Sequence, residues 1–340
     1  MSNLRVVVLV HEDLVPPDSL EGLAEDEIAK WRTEYDVVQG ITRLGHEVQI
    51  QGVGSDLTPL RQLVEGWEPH VVFNLLNEFQ DRAAFEVHVA SFLELLNVPY
   101  TGCNSRGLLL CRNKPLAKKI FRYHRIPTPA FAVLSKGAKV RTPARLRFPL
   151  IVKSTEEDAS LGVSQASIVH DRDELEARAQ FVHRKVGTDA IAEEYIEGRE
   201  LTIGVLGNSR LETFPVWEMS FKHLPEGSEP IATARAKWNR AYQKRVGIDT
   251  ARAKVSDEIA RCITRMARRI YRSLEISGFA RIDLRLTDAG ELSFIEANPN
   301  PDLRQEEDFA AGAAAAGIGY DALLQRILNL GRSHRQPWSE

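Results

Sequence analysis

The chain has 340 residues, 44 Lys and Arg against 47 Asp and Glu, a formal net charge of -3 and 43% hydrophobic residues. That length exceeds one comfortable core and predicts two or three packed units with room for a cleft, while the balanced charge leaves no basic footprint for nucleic acid. Three cysteines, Cys103, Cys111 and Cys262, are odd in number and show no CxxC spacing, which argues against a disulfide framework or a zinc site and fits a reducing, cytoplasmic setting.

The first apolar run, "LRVVVLV", is too short for a signal-peptide core or a membrane span and reads as a buried strand. An amphipathic helix over "AEDEIAKWRTEYDVVQGITRLG" stops at Gly45, followed by a strand "HEVQIQGV", a helix "LTPLRQLVEGW", a strand "HVVFNLL" and a helix "DRAAFEVHVASFLELL". Short apolar strands alternating with helices predict a parallel sheet in a Rossmann-like unit. "HEDLVPPDS" stands where a GxGxxG would follow the first strand, so a dinucleotide site is not expected there.

A helical run in "KPLAKKIFRYHRIPTPAF" ends at two prolines and marks a boundary. The second unit holds strands "FPLIVKS" and "VSQASIV", a helix "DRDELEARAQFVHRK" and strands "DAIAEEYIEG" and "RELTIGVLG", which suggests a small α+β layer. Further strands follow, then a polar, basic stretch "IATARAKWNRAYQKRVGIDT", a long helix "SDEIARCITRMARRIYRSLEI", a hairpin and a final helix "YDALLQRILNLG". No internal repeat is visible.

The hairpin "FARIDLRLTDAGELSFIEAN" alternates on both sides of "DAGE". A two-residue turn at Ala289 and Gly290 would pair Asp288 with Glu291, Arg285 with Phe294, Asp283 with Glu296 and Arg281 with Asn298. One face would then collect Arg281, Asp283, Glu296 and Asn298. Facing carboxylates repel by a few tenths to about 1 kcal/mol unless a cation lies between them. Two acids and an amide are all-oxygen ligands that suit Mg²⁺ or Mn²⁺. The competing reading is a surface ladder in which Arg281 and Arg285 neutralise the acids, and a slipped register or a bulge would undo the juxtaposition.

Lys114 and Lys153 each follow apolar runs with no acid nearby in sequence, and can meet an anion such as phosphate. "EEDASLGVSQ" can close on phosphates through main-chain N–H groups. In "AEEYIEGRE", Tyr195 and Ile196 offer apolar surface, and Glu200 a polar endpoint for a sugar hydroxyl. No GxxxxGK[ST], GxSxG or HExxH is present.

Taken together, "VPYTG", "NKPLAKK" with "IPTP", "FPLIVKS" with "SLGVS", "AEEYIEGRELTIGVLG" and "GFARIDLRLTDAGELSFIEANPNP" give the chain from Val71 to Leu330 a family likeness. It resembles the ATP-grasp carboxylate-amine ligases, most closely the D-alanine:D-alanine ligase group. The resemblance implies a mixed α/β and α+β ATP-grasp fold with a Rossmann-like N-terminal domain at 1–113, a central lid domain at 114–204, a C-terminal domain with the metal site at 205–332, and a tail. It implies ATP held by Lys114, Lys153, Ser160, Glu193, Glu194, Tyr195, Ile196, Glu200 and Ile295. Asp283, Glu296 and Asn298 would hold Mg²⁺ or Mn²⁺, Lys237 would approach the γ-phosphate, and Arg281 would stabilise the reacting centre. A substrate carboxylate would become an acyl phosphate that an amine then attacks, and a homodimer is what the family suggests.

Three positions that place the first D-alanine in the family differ: the Gly-rich first loop is "VHEDLVPPDS", Trp238 replaces a tyrosine, and Ala159 replaces a serine. Asp302, Glu306 and Glu307 would repel a substrate carboxylate, although Arg304 could compensate. The expected substrate is therefore some other amino acid or small carboxylate. A nucleotide-binding protein without turnover, or a kinase that stops at phosphoryl transfer, remains as an alternative.

Overall fold

Val6 to Val10 are buried on both faces, which an unbroken apolar strand achieves only at the centre of a sheet with helices on either side. The computed structural model describes residues 3–156, 163–231, 233, 236 and 239–334. β1 (Arg5–His11) runs parallel to β2 (Glu47–Val53) on one side and β3 (Val71–Asn74) on the other. The crossovers are α1 (Glu25–Arg43) and α2 (Thr58–Trp67), and α3 (Glu86–Leu95) follows β3, giving the expected Rossmann-like alternation. The last of these helices starts later than its pattern predicts, because residues 83–85 form a 3-10 turn.

α4 (Ser105–Arg112) and α5 (Lys114–Tyr123) are separated only by Asn113. That residue ends the first helix and caps the second, its Oδ1 accepting from Leu116 N at 2.9 Å with Pro115 in the first turn, a pairing of cap and proline that starts helices efficiently. The chain then builds an antiparallel sheet in the order β4 (Phe131–Leu134), β7 (Ala190–Glu194), β5 (Leu150–Ser154), β6 (Ile168–Val169), covered by α6 (Arg172–Phe181).

The remaining strands form a larger sheet in the order β11 (Ile248–Arg252), β10 (Trp217–Phe221), β8 (Arg199–Leu206), β12 (Phe279–Leu286), β13 (Leu292–Pro299), with β9 (Glu212–Thr213) on β8. "RELTIGVLG" therefore does not belong to the second unit. It is β8, paired with β12 over its whole length and buried through Leu201, Ile203 and Val205, so a boundary at residue 204 would cut a central strand. The polar stretch after residue 231 contains α7 (Arg240–Val246) and leads into β11. α8 (Asp257–Ser273), α9 (Asp308–Ala315) and α10 (Tyr320–Ser333) complete the order.

Two cores join the parallel sheet to the larger antiparallel one: Leu9, Val72 and Leu93 share a cluster with Ile203, Tyr271 and Ile282, and Val8, Val37 and Ile41 share another with Phe279, Phe309 and Leu324. The four-stranded sheet keeps its own cluster around Leu150, Val152 and Leu175. Cys103 and Cys111 are buried, as small core residues would be. Among the described residues no helix is long and apolar enough to cross a membrane.

Pro299, which ends β13, and Pro301 flank Asn300, which forms a lock. Asn300, at φ 52, accepts from Cys103 N through Oδ1 at 2.8 Å and donates from Nδ2 to Glu86 Oε1 at 3.0 Å, and Arg112 holds the other Glu86 oxygen. Gly102, at φ +93, leaves space for that amide, because a Cβ there would lie 2.6 Å from Asn300 Oδ1. Gly102→Ala is expected to cost about 2 kcal/mol through strain and the displaced amide, read as a lower Tm in thermal unfolding. An unchanged Tm would mean that Asn300 moves aside freely.

Candidate active site

The β12–β13 hairpin sets the register of the site by two irregularities that offset each other. The turn is not the expected two-residue one: Thr287 N bonds Glu291 O at 2.9 Å and Gly290 N bonds Thr287 O at 2.9 Å. The loop is thus three residues, Asp288 to Gly290, with Gly290 at φ +82 as such loops require. Arg285 consequently faces Ser293 and not Phe294. A bulge then leaves Ile295 without a partner and restores the expected pairs, Asp283 with Glu296 and Arg281 with Asn298.

On that face Arg281 grips Asp283 with two bonds, Nε to Oδ1 at 2.8 Å and Nη2 to Oδ2 at 3.0 Å. Asn298 Nδ2 donates to Asp283 Oδ2 at 2.9 Å. Burial alone would lower the Arg281 pKa, but the charge and hydrogen bonds of Asp283, with Asp308 and Glu296 behind it, raise it. Arg281 is therefore cationic throughout the working range. Among the described residues no set of three or more His, Cys, Asp and Glu is arranged to hold a metal alone. Two facing carboxylates and an amide still form an oxygen donor set for a hard divalent cation that leaves most of its shell for phosphate.

Beside this hairpin face lies a group that sequence reading missed. Lys118, only 1% exposed, places Nζ 3.3 Å from Glu193 Oε2, 3.0 Å from Thr128 Oγ1 and 3.1 Å from the Ile295 carbonyl. Lys153 Nζ approaches the same Glu193 oxygen at 3.4 Å. Lys153 thus has an acid neighbour after all, brought from β7, which pairs with β5 through Lys153 and Ile191. Burial pushes the Lys118 pKa down against the pull of Glu193. Burial would raise Glu193, but the two ammoniums outweigh it and hold its pKa low. Two cations around one anion leave this end of the cleft net positive, as a polyphosphate requires. The available signal was the spacing: Lys118 sits one helical turn after Lys114 in "KPLAKK".

Lys114 is buried at the start of α5, its N–H bonding Thr155 O at 3.1 Å, so it stands beside the end of β5. The Glu194 side chain turns away from Glu193 and accepts from Arg147 N at 2.9 Å. Tyr195 and Ile196 are half-buried. Glu200 pairs with Arg285 at 2.8 Å. Ser160 and Lys237 lie outside the described residues, as do Ala159 and Trp238.

Beyond the hairpin the chain after Asn300 docks on α1. Asp302 Oδ1 accepts from Thr33 Oγ1 and Arg304 N, both at 2.8 Å, and the Arg304 guanidinium stands 3.9 Å from both Asp302 and Glu307. Arg304 is thus already compensating acids of its own loop. Glu34, 5% exposed, lies behind them on α1. Burial, with a smaller push from Asp302, lifts its pKa from 4.5 to about 7.

Two outcomes follow from these buried charges. Lys118→Met leaves Glu193 with a single cation and is expected to destabilise the fold by about 3 kcal/mol, measured by denaturant unfolding; wild-type stability would show that Lys153 alone suffices. For Glu34, the folded chain holds a proton that the unfolded chain releases above its ordinary pKa of 4.5. Stability should therefore fall as pH rises from that value towards 7, by up to about 3 kcal/mol. Glu34→Gln should flatten that slope, and an unaltered slope would place the titration elsewhere.

The profile of the family described as D-ala D-ala ligase C-terminus matches residues 120–329. A D-alanine–D-alanine ligase of Syntrophotalea carbinolica is 29% identical over 313 residues, covering 90% of this chain and 92% of that protein. One of Bordetella petrii is 32% identical over 243 residues, covering 70% and 69%, and an uncharacterized Sinorhizobium fredii protein, y4sG, is 32% identical over 305 residues, covering 88% and 87%. In three dimensions the chain matches the crystal structure of the Bacillus anthracis D-alanine–D-alanine ligase complexed with ATP, at TM-score 0.74, 23% identity and coverage of 96% and 97%. It also matches the VanG D-Ala:D-Ser ligase of Enterococcus faecalis, at TM-score 0.71, 19% identity and coverage of 97% and 100%. With that profile spanning more than half its length, and with three sheets arranged as in those solved ligases, the chain belongs to the D-alanine–D-alanine ligase family and has the ATP-grasp fold.

Proposed function

We propose that the chain is an ATP-dependent ligase that joins a carboxylate to an amine through an acyl phosphate. The observation that carries this reading is one continuous strip of charge. Lys153, Lys118 and Glu193 form its cationic end, and Glu296, Asp283, Asn298 and Arg281 its metal and reacting end. Lys118 Nζ donates to the carbonyl of Ile295, the residue before Glu296, at 3.1 Å, so the two ends adjoin.

Asp283, Glu296 and Asn298 would hold Mg²⁺, which would neutralise phosphate charge. Lys153 and Lys114 would orient the phosphates, and the half-buried Tyr195, Ile196 and Ile295 would flank the base. A substrate carboxylate oxygen attacks the γ-phosphorus as the bond to ADP breaks. The amine nitrogen then attacks the acyl carbon, phosphate leaves with its oxygen, and the nitrogen loses a proton. Arg281, fixed in direction by Asp283, would stabilise the oxyanion of that tetrahedral intermediate. Lys237 would approach the γ-phosphate.

The substrate we infer is not D-alanine. The loop after β1 is a 3-10 turn, Glu12–Leu14, with Glu12 against Gly54, and Arg304 is shared between Asp302 and Glu307. Neither arrangement offers an uncommitted cation to a substrate carboxylate.

The deciding experiment follows ADP and phosphate release with ATP and Mg²⁺ across pooled amino acids and small carboxylic acids. Turnover should depend on the pool, be absent with D-alanine alone, and vanish in Asp283→Asn with Glu296→Gln. Arg281→Met should lower kcat about a hundredfold or more while still binding ATP. Bound ATP with no release from any pool would favour a nucleotide-binding protein without turnover, and a stable phosphorylated product without an amide would favour a kinase.

A further inference from the structure

Arg285 is a guanidinium only 5% exposed, on the same face of β12 as Arg281 and Asp283. Its two terminal nitrogens reach four oxygens. Nη2 donates to Glu200 Oε2 and to the Pro230 carbonyl, both at 2.8 Å, and Nη1 donates to the Gly198 carbonyl at 3.0 Å and to the Tyr195 hydroxyl at 3.4 Å. The guanidinium also lies 5.4 Å from the centre of the Tyr195 ring.

The acceptors around it are themselves fixed. The Tyr195 hydroxyl, accepting from Arg285, donates onward to Glu229 Oε2 at 3.2 Å. Gln165 clasps the Glu229 main chain in both directions, donating to its carbonyl and accepting from its N–H, each at 2.9 Å. Pro230, the next residue, is the one whose carbonyl Arg285 takes. A planar fork with two donor nitrogens can satisfy such a set, and an ammonium cannot.

We propose that Arg285 is the positioning residue for the sugar end of the nucleotide. It occupies Glu200 Oε2 and so directs Oε1 towards a ribose hydroxyl, while fixing Tyr195 beside the base. A neutral side chain at 285 would leave a half-buried carboxylate without its partner and free to rotate, and an undirected carboxylate does not discriminate between sugars. This rests on the nucleotide reading above, but makes a separate claim about how the sugar is recognised.

The test measures binding of ATP, 2′-deoxy-ATP and 3′-deoxy-ATP to the full chain with Mg²⁺ by calorimetry, without amine or carboxylate substrates. Wild type should favour ATP over at least one deoxy analogue by about tenfold, the value of one charged hydrogen bond. Arg285→Met should weaken ATP by about tenfold or more and bring the preference below about twofold, and Arg285→Lys should recover only part of it. Glu200→Gln, which keeps size and packing, should lose the preference likewise, and the double variant should be no worse than either single one. A uniform loss of affinity for all three nucleotides with the preference intact would reduce Arg285 to a structural role and overturn the proposal. So would a Glu200→Gln variant that still discriminates, even if Arg285→Met fails to fold. No ATP binding by wild type would instead overturn the nucleotide reading itself.

Discussion

One buried ammonium ties the cleft together. Lys118 Nζ takes its acceptors from three separate pieces of chain: Glu193 of the four-stranded sheet, the Ile295 carbonyl of the larger sheet, and Thr128 of the connection between α5 and β4. A lysine so deeply buried is tolerated only with its charge matched and its protons shared out. The Ile295 carbonyl belongs to the unpaired residue of the bulge. The irregularity that brings Asp283 opposite Glu296 therefore also supplies an acceptor for Lys118, and the same Glu193 oxygen that meets Lys118 draws in Lys153.

Charge along the cleft is graded by this arrangement. Two ammoniums against one carboxylate make the Lys118–Lys153 end positive. Asp283 and Glu296 reverse the sign on the hairpin, and Arg281 brings it back towards neutrality. A bound polyphosphate and a divalent cation would complete rather than disrupt that sequence of signs. Further on, Asp302 and Glu307 outnumber Arg304, and Glu34 behind them is held largely protonated by burial, its pKa lifted to about 7. Members of one family that differ here can share a nucleotide end and part company over what they join.

Much of the fold was legible because its periodicities are strong: continuous apolar runs for the parallel strands, and alternation for the hairpin. The pairing of Asp283 with Glu296 was read correctly for a partly wrong reason. A two-residue turn and a regular ladder give the same pairing as a three-residue loop followed by a bulge, and apolar Ile295 carries no local mark of being unpaired. β8 was assigned to the wrong layer because alternation names a strand's faces and not its neighbours, and only the long ladder with β12 decides that. Lys118 escapes a local reading, and Arg285 is read there only as a neutraliser of the hairpin's own acids, for a related reason. Their partners, Glu193 and Glu200, arrive from other strands, which neighbours in sequence do not reveal.

The distribution of apolar cores sets how the molecule comes apart. The parallel sheet and the larger antiparallel sheet share their interior through two clusters, so neither can open without exposing the other. The four-stranded sheet keeps a small interior of its own, held to the rest chiefly by polar links such as those of Lys118 and of Gln165 with Glu229. Main-chain amides should accordingly exchange with solvent in two tiers, with the smaller sheet opening as an independent cooperative unit well before global unfolding. Its separateness would let the smaller sheet shift while the larger one, with Asp283 and Glu296, stays rigid.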